Sequence, residues 1–161
     1  MNQNYKTYLQ NSRKNKLTEH FTVFEVINSL TALKLNIDNR PTAQVISNAK
    51  LLCINVLEKV RLHFNKPIIV HSFYRSPDLN YAIGGVKPDL SKGIRGSQHM
   101  YGEAADITVQ NHTVQEVFDY IRKNMIYDQV IQEGTWVHVS FNPVHNRRQA
   151  LLYKGGKYFE V

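Results

Sequence analysis

Cysteine is nearly absent: Cys53 is the only one in 161 residues. No intrachain disulfide can form, and a four-cysteine zinc site is excluded. Any metal must be held mainly by histidine, aspartate or glutamate, and the chain has seven histidines. Long apolar runs are missing too. No stretch approaches the ~20 residues needed to span a bilayer, so no membrane segment is expected. The first residues, MNQNYKTYLQNSRKNKL, lack the apolar centre and small-residue cleavage site of a secretory signal. The expectation is a soluble chain made in the cytoplasm without an export signal of its own. There is no run of five or six like charges, no internal repeat and no low-complexity stretch, which argues against an extended basic arm.

What is present suits one folded domain. Hydrophobic residues make up 42% and aromatic residues 11%, enough to bury a core without disulfides. The formal charge of +7, with a pI near 9.5, favours an anionic partner: nucleic acid, cell-wall polymer or an acidic surface. Residues 1–16 are polar and read as a loose leader, ahead of a single domain over 17–161. In that domain Thr22 and Glu25 have capping-box spacing for a short helix. The clearest helix follows Pro41, where Val45, Ala49, Leu52, Val56 and Val60 recur at three- and four-residue steps, and Cys53 belongs with this stripe.

Strands dominate the second half. KPIIVHSFYRS and ADITVQ read as strands, HTVQEVFDYIRKN as a helix capped by Thr113 and Glu116, and YDQVIQE and TWVHVSF as two further strands. The tail, RRQALLYKGGKYFEV, predicts a hairpin turning at Gly155-Gly156. Helices first and strands later indicate an α+β fold with an antiparallel sheet packed against helices. The segment PDLNYAIGGVKPDLSKGIRGS predicts a long loop of the kind that is functional or mobile.

One stretch stands out chemically: GSQHMYGEAADITV, residues 96–109. His99 and Asp106 bracket a turn made of small residues. Alternation in TWVHVSF puts Trp136, His138 and Ser140 on one face and Val137, Val139 and Phe141 on the other. Two histidines and one carboxylate would leave the fourth position of a zinc ion open for water, as in catalytic sites. Spacing alone leaves the alternative open, in which the three are unrelated loop and strand-end residues.

SQHMYGEAAD matches the S-x-H-x-x-G-x-A-x-D motif of the zinc D-Ala-D-Ala peptidase family, and WVHVSF resembles its third-ligand strand. EHFTVFEVINSLTALKLNIDNRP, SFYRSPDLNYAIGG and YDQVIQEGTWVHVSF resemble, in the same order, the small single-domain branch found in bacteria and phages. The resemblance spans about Leu17 to Leu151 and implies a hedgehog/D-Ala-D-Ala-peptidase-like fold, with Zn2+ on His99, Asp106 and His138. It also implies hydrolysis of amide bonds in peptidoglycan stem peptides, by a D-Ala-D-Ala carboxypeptidase or an L-Ala-D-Glu-type endopeptidase, including phage endolysins. The alternative is a zinc-binding module of the same fold that does no catalysis.

The remaining roles follow from the family and from chemistry. A zinc peptidase needs a carboxylate to move the proton of the attacking water. Relatives place it three residues before the last histidine, where this chain has Thr135. Glu133, five residues before His138, is the expected acid, brought in by a bulge at Gly134. Glu103 is the runner-up, expected to face solvent. The resemblance gives Arg75 the oxyanion or a substrate carboxylate, and Ser97 a substrate or loop contact. His71 reads as a core or cleft histidine and Trp136 as packing near the site or in the core, while His20, His63, His112 and His145 lack ligand spacing. The partner expected is a peptidoglycan peptide, met by a monomer at the bacterial cell wall after release. Neither a membrane nor a nucleic acid is expected, because no reader motif accompanies the basic charge.

Overall fold

The computed structural model describes residues 3–161. Met1 and Asn2, the first positions of the expected leader, lie outside the described residues. The rest of that stretch is not loose. Gln3–Ser12 forms helix α1, because Tyr5 and Leu9, four apart, form a buried edge. The Tyr5 hydroxyl donates to the Ile27 carbonyl at 2.7 Å. Two apolar residues in a polar stretch suffice once a partner surface exists, and composition alone hides them.

α2 (Val23–Ile27) starts at the Thr22–Glu25 capping box. After α3 (Leu30–Leu35) comes the longest helical run: α4 (Ala43–Leu52), a π turn (Cys53–Leu57) and α5 (Glu58–Phe64). In the π turn the Glu58 amide donates to the Cys53 carbonyl, one residue further back than in an α-helix. The Asn55 side chain donates to the Leu51 carbonyl at 2.8 Å. The wider turn lets Leu52, Cys53, Val56 and Leu57 all be buried, so the predicted stripe continues unbroken from Val45 to Val60.

Six strands follow, interrupted by two helices: β1 (Ile68–Ser72), α6 (Pro77–Ala82), β2 (Ala104–Val109), α7 (Val114–Asn124), β3 (Gln129–Gln132), β4 (Val137–Ser140), β5 (Gln149–Lys154) and β6 (Lys157–Glu160). They form one sheet in the order β1-β2-β4-β3-β5-β6. Every pair is antiparallel except β3–β5. The exception has a topological cause. β4 returns alongside β3 and ends beside its start, and the connection to Gln149 begins β5 at that same end.

The two faces of the sheet have different tasks. Ala105, Ile107 and Val109 of β2 join Val137 and Val139 of β4, with Val130 and Ala150, in a core shared with α4, the π turn and α7. Alternation sends Asp106 and His138 to the opposite face. The predicted α+β architecture is therefore what forms, and its second face carries the chemistry.

Candidate metal centre

Asp106 and His138 are direct cross-strand partners in the β2–β4 ladder, and Ser72 of β1 is opposite Asp106 on the other side. Directly opposed residues have Cβ atoms ~5 Å apart, so the sheet register alone sets these two ligands together. His99 arrives from a 3-10 turn, Gln98–Tyr101, that closes back onto β2. The closure depends on Gly102. Its φ is +70°, and a Cβ there would stand 2.5 Å from the Val45 carbonyl oxygen. Only glycine allows this turn to sit so tightly on α4.

Nδ1 of His99 lies 2.6 Å from the Phe73 carbonyl oxygen. A carbonyl only accepts, so Nδ1 carries the proton and Nε2 keeps its lone pair. That lone pair faces Asp106 Oδ1 at 3.3 Å, while Nδ1 of His138 is 2.9 Å from the same oxygen. Burial holds the His99 imidazole below its ordinary pKa, favouring the neutral ring. Burial would raise the Asp106 carboxyl, but its polar surroundings, the hydrogen bond from His138 among them, hold it well below the usual carboxylate range. A neutral imidazole lone pair facing an ionised carboxylate is a pair of acceptors without a proton between them. A cation resolves that conflict. Ligand atoms of His99, Asp106 and His138 lie within 4.8 Å of one another. The donor set, two imidazoles and one carboxylate with a backbone carbonyl orienting one ring, suits zinc.

The second carboxylate oxygen is also committed. Arg75 donates from Nη2 to Asp106 Oδ2 at 2.7 Å and from Nε to Ser72 Oγ at 2.9 Å. Arg75 thus fixes Asp106 in addition to lining a 410 Å³ cavity with Ser72, His71 and Tyr74. Its desolvation lowers the guanidinium pKa, and the charges of Asp106 and Glu133 act against that.

Glu133 reaches the same face without the expected bulge. Ile131 pairs with His138 and Gln132 with Val137 in unbroken register, and the Glu133 amide donates to the Trp136 carbonyl at 3.0 Å. Gly134, at φ +74°, closes the hairpin. Alternation from Ile131 then points Glu133 to the side of His138. Its carboxylate accepts from Trp136 Nε1 at 2.7 Å and from the Tyr158 hydroxyl at 3.4 Å. Of its two readings, Trp136 takes the one beside the site: it is half-buried and spends its N–H on Glu133.

Other expectations change as well. Glu103 does not face solvent. It is 2% exposed and receives both terminal nitrogens of Arg95, at 2.6 and 2.9 Å, which occupies the runner-up base. His71 is exposed, not core, and lies at a bulge between Val70 and Ser72 with its Nε2 2.9 Å from Thr108 Oγ1. Ser97 precedes the His99 turn, where its amide donates to the Val86 carbonyl and its hydroxyl makes no cap. The loop before it is pinned by an Asp89–Ile94 bridge. The Arg75–Asp106 pair and the Tyr158 hydrogen bond carried no local sequence signal, since each joins residues more than 20 positions apart. Trp136, three residues after Glu133 across a glycine turn, did carry one.

A profile of the Peptidase M15 family matches residues 19–140, about three-quarters of the chain. The chain belongs to that family. It is a family of zinc-dependent metallopeptidases, and that is the general class of this protein. Within Peptidase M15 the matched segment holds His99, Asp106, His138, Glu133 and Arg75, and it ends at Ser140, before β5 and β6. No curated protein matches the chain.

Proposed function

We propose that this M15 peptidase hydrolyses amide bonds in the peptide stems of peptidoglycan, with His99, Asp106 and His138 holding zinc. The observation that carries the reading is the convergence of three ligand side chains on one sheet face that also presents Glu133. Bound zinc supplies Lewis-acid chemistry, activating water and polarising the scissile carbonyl. The side chains supply the rest. Glu133 takes the proton of the attacking water and returns it to the leaving amine. Arg75 orients Asp106 through its bond to Oδ2, and its guanidinium, next to the ligand set, would meet a substrate oxygen or carboxylate. Ser97 offers its hydroxyl at the entrance to the His99 turn. The net charge of +7 favours approach to an anionic wall polymer.

Mass spectrometry of purified peptidoglycan fragments tests the reading. The expected result is new cleavage products that vanish with chelator and return with zinc, and their masses distinguish removal of a terminal D-Ala from a cut within the stem. Zinc binding without products on any wall chemotype would instead leave a zinc-binding interaction module. A phage-type lytic role is checked by adding the protein to permeabilised cells and following turbidity.

A further inference from the structure

The C-terminal hairpin lies outside the segment that matches the family, yet it borders Glu133. β5 runs parallel to β3, with Gln132 beside Leu152, so the next residues along, Glu133 and Tyr153, are neighbours at the end of both strands. β6 pairs Tyr158 with Tyr153. The two tyrosine rings, 4.9 Å apart, join Trp136 and Glu133 around a 250 Å³ pocket. Glu133 is thus held from two elements. Trp136 donates to one carboxylate oxygen from its own hairpin, and the Tyr158 hydroxyl approaches the other from β6.

We infer that Tyr158 is a positioning residue for Glu133, so that the general base is completed by a hairpin lying beyond the matched family segment. This rests on the reading of Glu133 given above. A glutamate on a glycine turn has three free side-chain torsions, and a single bond from Trp136 leaves the carboxylate able to rotate about that contact. A second donor on the other oxygen fixes its plane and the direction in which its remaining lone pairs point. The 3.4 Å separation is long for a hydroxyl donor, as catalytic hydrogen bonds are before substrate binds. The guanidinium of Arg75 acts on this carboxylate by charge, and the Tyr158 hydroxyl feels both Glu133 and Asp106. Burial and the Glu133 charge raise the Tyr158 pKa, keeping the phenol a donor.

Two measurements on the full chain test this. In the first, thermal unfolding of the metal-free protein compares Tyr158→Phe, Glu133→Ala and the double variant. Tyr158→Phe is expected to lower Tm by about 2 °C in the parent and to have no effect once Glu133 is alanine. Equal shifts in both backgrounds overturn the inference, whatever the activity. In the second, zinc-loaded Tyr158→Phe is assayed on peptidoglycan fragments, with Phe159→Leu, on the opposite face of β6, as control. The expected result is a fall in kcat of about fivefold with KM and zinc content kept, and an unchanged control. A matching loss in Phe159→Leu, or a change in KM alone, overturns it. If the parent protein itself cleaves nothing while the Tm coupling is present, the peptidase reading fails, and Tyr158 positions Glu133 without a reaction to serve.

Discussion

At the scale of single residues, the site works by dividing one carboxylate. Asp106 gives Oδ1 to the two histidines and Oδ2 to Arg75, so its orientation is set from both sides. Asp106→Asn keeps the shape but loses the charge, and it should bring zinc occupancy near zero by metal analysis, with activity lost alongside. Glu133→Gln separates binding from chemistry: zinc stays bound while kcat falls by about 10²- to 10⁴-fold. Retained zinc and retained rate together would remove Glu133 from the mechanism. Glu103 makes the opposite kind of contribution. It is a buried carboxylate paired with the half-exposed Arg95. Arg95→Ala strands that charge, and urea unfolding should show a loss of about 2 kcal/mol, below the value for a fully buried pair because the arginine is open to water.

At the scale of elements, the 3-10 turn Gln98–Tyr101 matters most, because it is short and cannot hold its own shape. It is held from outside: the Arg75 amide donates to the His99 carbonyl, the Glu103 amide to the Gln98 carbonyl, and Asn48 of α4 to the Tyr101 carbonyl. Gly102 lets it pack against α4, and Ala104 and Ala105 are fully buried beneath it. Gly102→Ala combines a left-handed backbone with a clash against the Val45 carbonyl. It should cost about 3 kcal/mol or more and weaken zinc binding through displacement of His99. Calorimetry on the apoprotein and metal titration measure the two effects separately, and an unchanged Tm would show that the turn tolerates a side chain. The β3–β4 hairpin is the second such device, since its register, rather than a bulge, brings Glu133 to the site face.

For the whole molecule, the layering of helices against one sheet face leaves the other face free for the metal ligands, with the C-terminal hairpin extending the sheet at its β3 side. No helix among the described residues is long and apolar enough to cross a membrane. Just before β3, Asp128 is buried and accepts from the Arg147 backbone and guanidinium and from Gln98. Burial would raise its pKa, but these bonds hold it below the ordinary carboxylate value. The folded state therefore favours the ionised form. The stability this contributes is complete above the unfolded value, about 3.9, and is lost as pH falls through the folded value. Asp128→Asn should be less stable than the parent at neutral pH and show a flatter fall in urea midpoint between pH 5 and pH 3. Parallel curves for the two proteins would assign the acid sensitivity elsewhere.

Much of this was legible along the chain, because much of it is local. The stripe from Val45 to Val60, both capping boxes, the Gly155-Gly156 turn and the alternation in TWVHVSF depend on neighbours a few residues apart, and each is found where those patterns place it. The pairing of His99 with Asp106 was legible for the same reason, being seven residues and one tight turn long. What only the tertiary structure decided are contacts between distant segments. Composition made 1–16 a loose leader, whereas Tyr5 finds Ile27; Glu103 looked exposed until Arg95 covered it; Arg75 meets Asp106 across the β1–β2 pair; Tyr158 of β6 meets Glu133 across the intervening β5. Local pattern determines which way a side chain points from its own strand or helix. What it then touches depends on the register between segments, and that is settled by packing of the whole core.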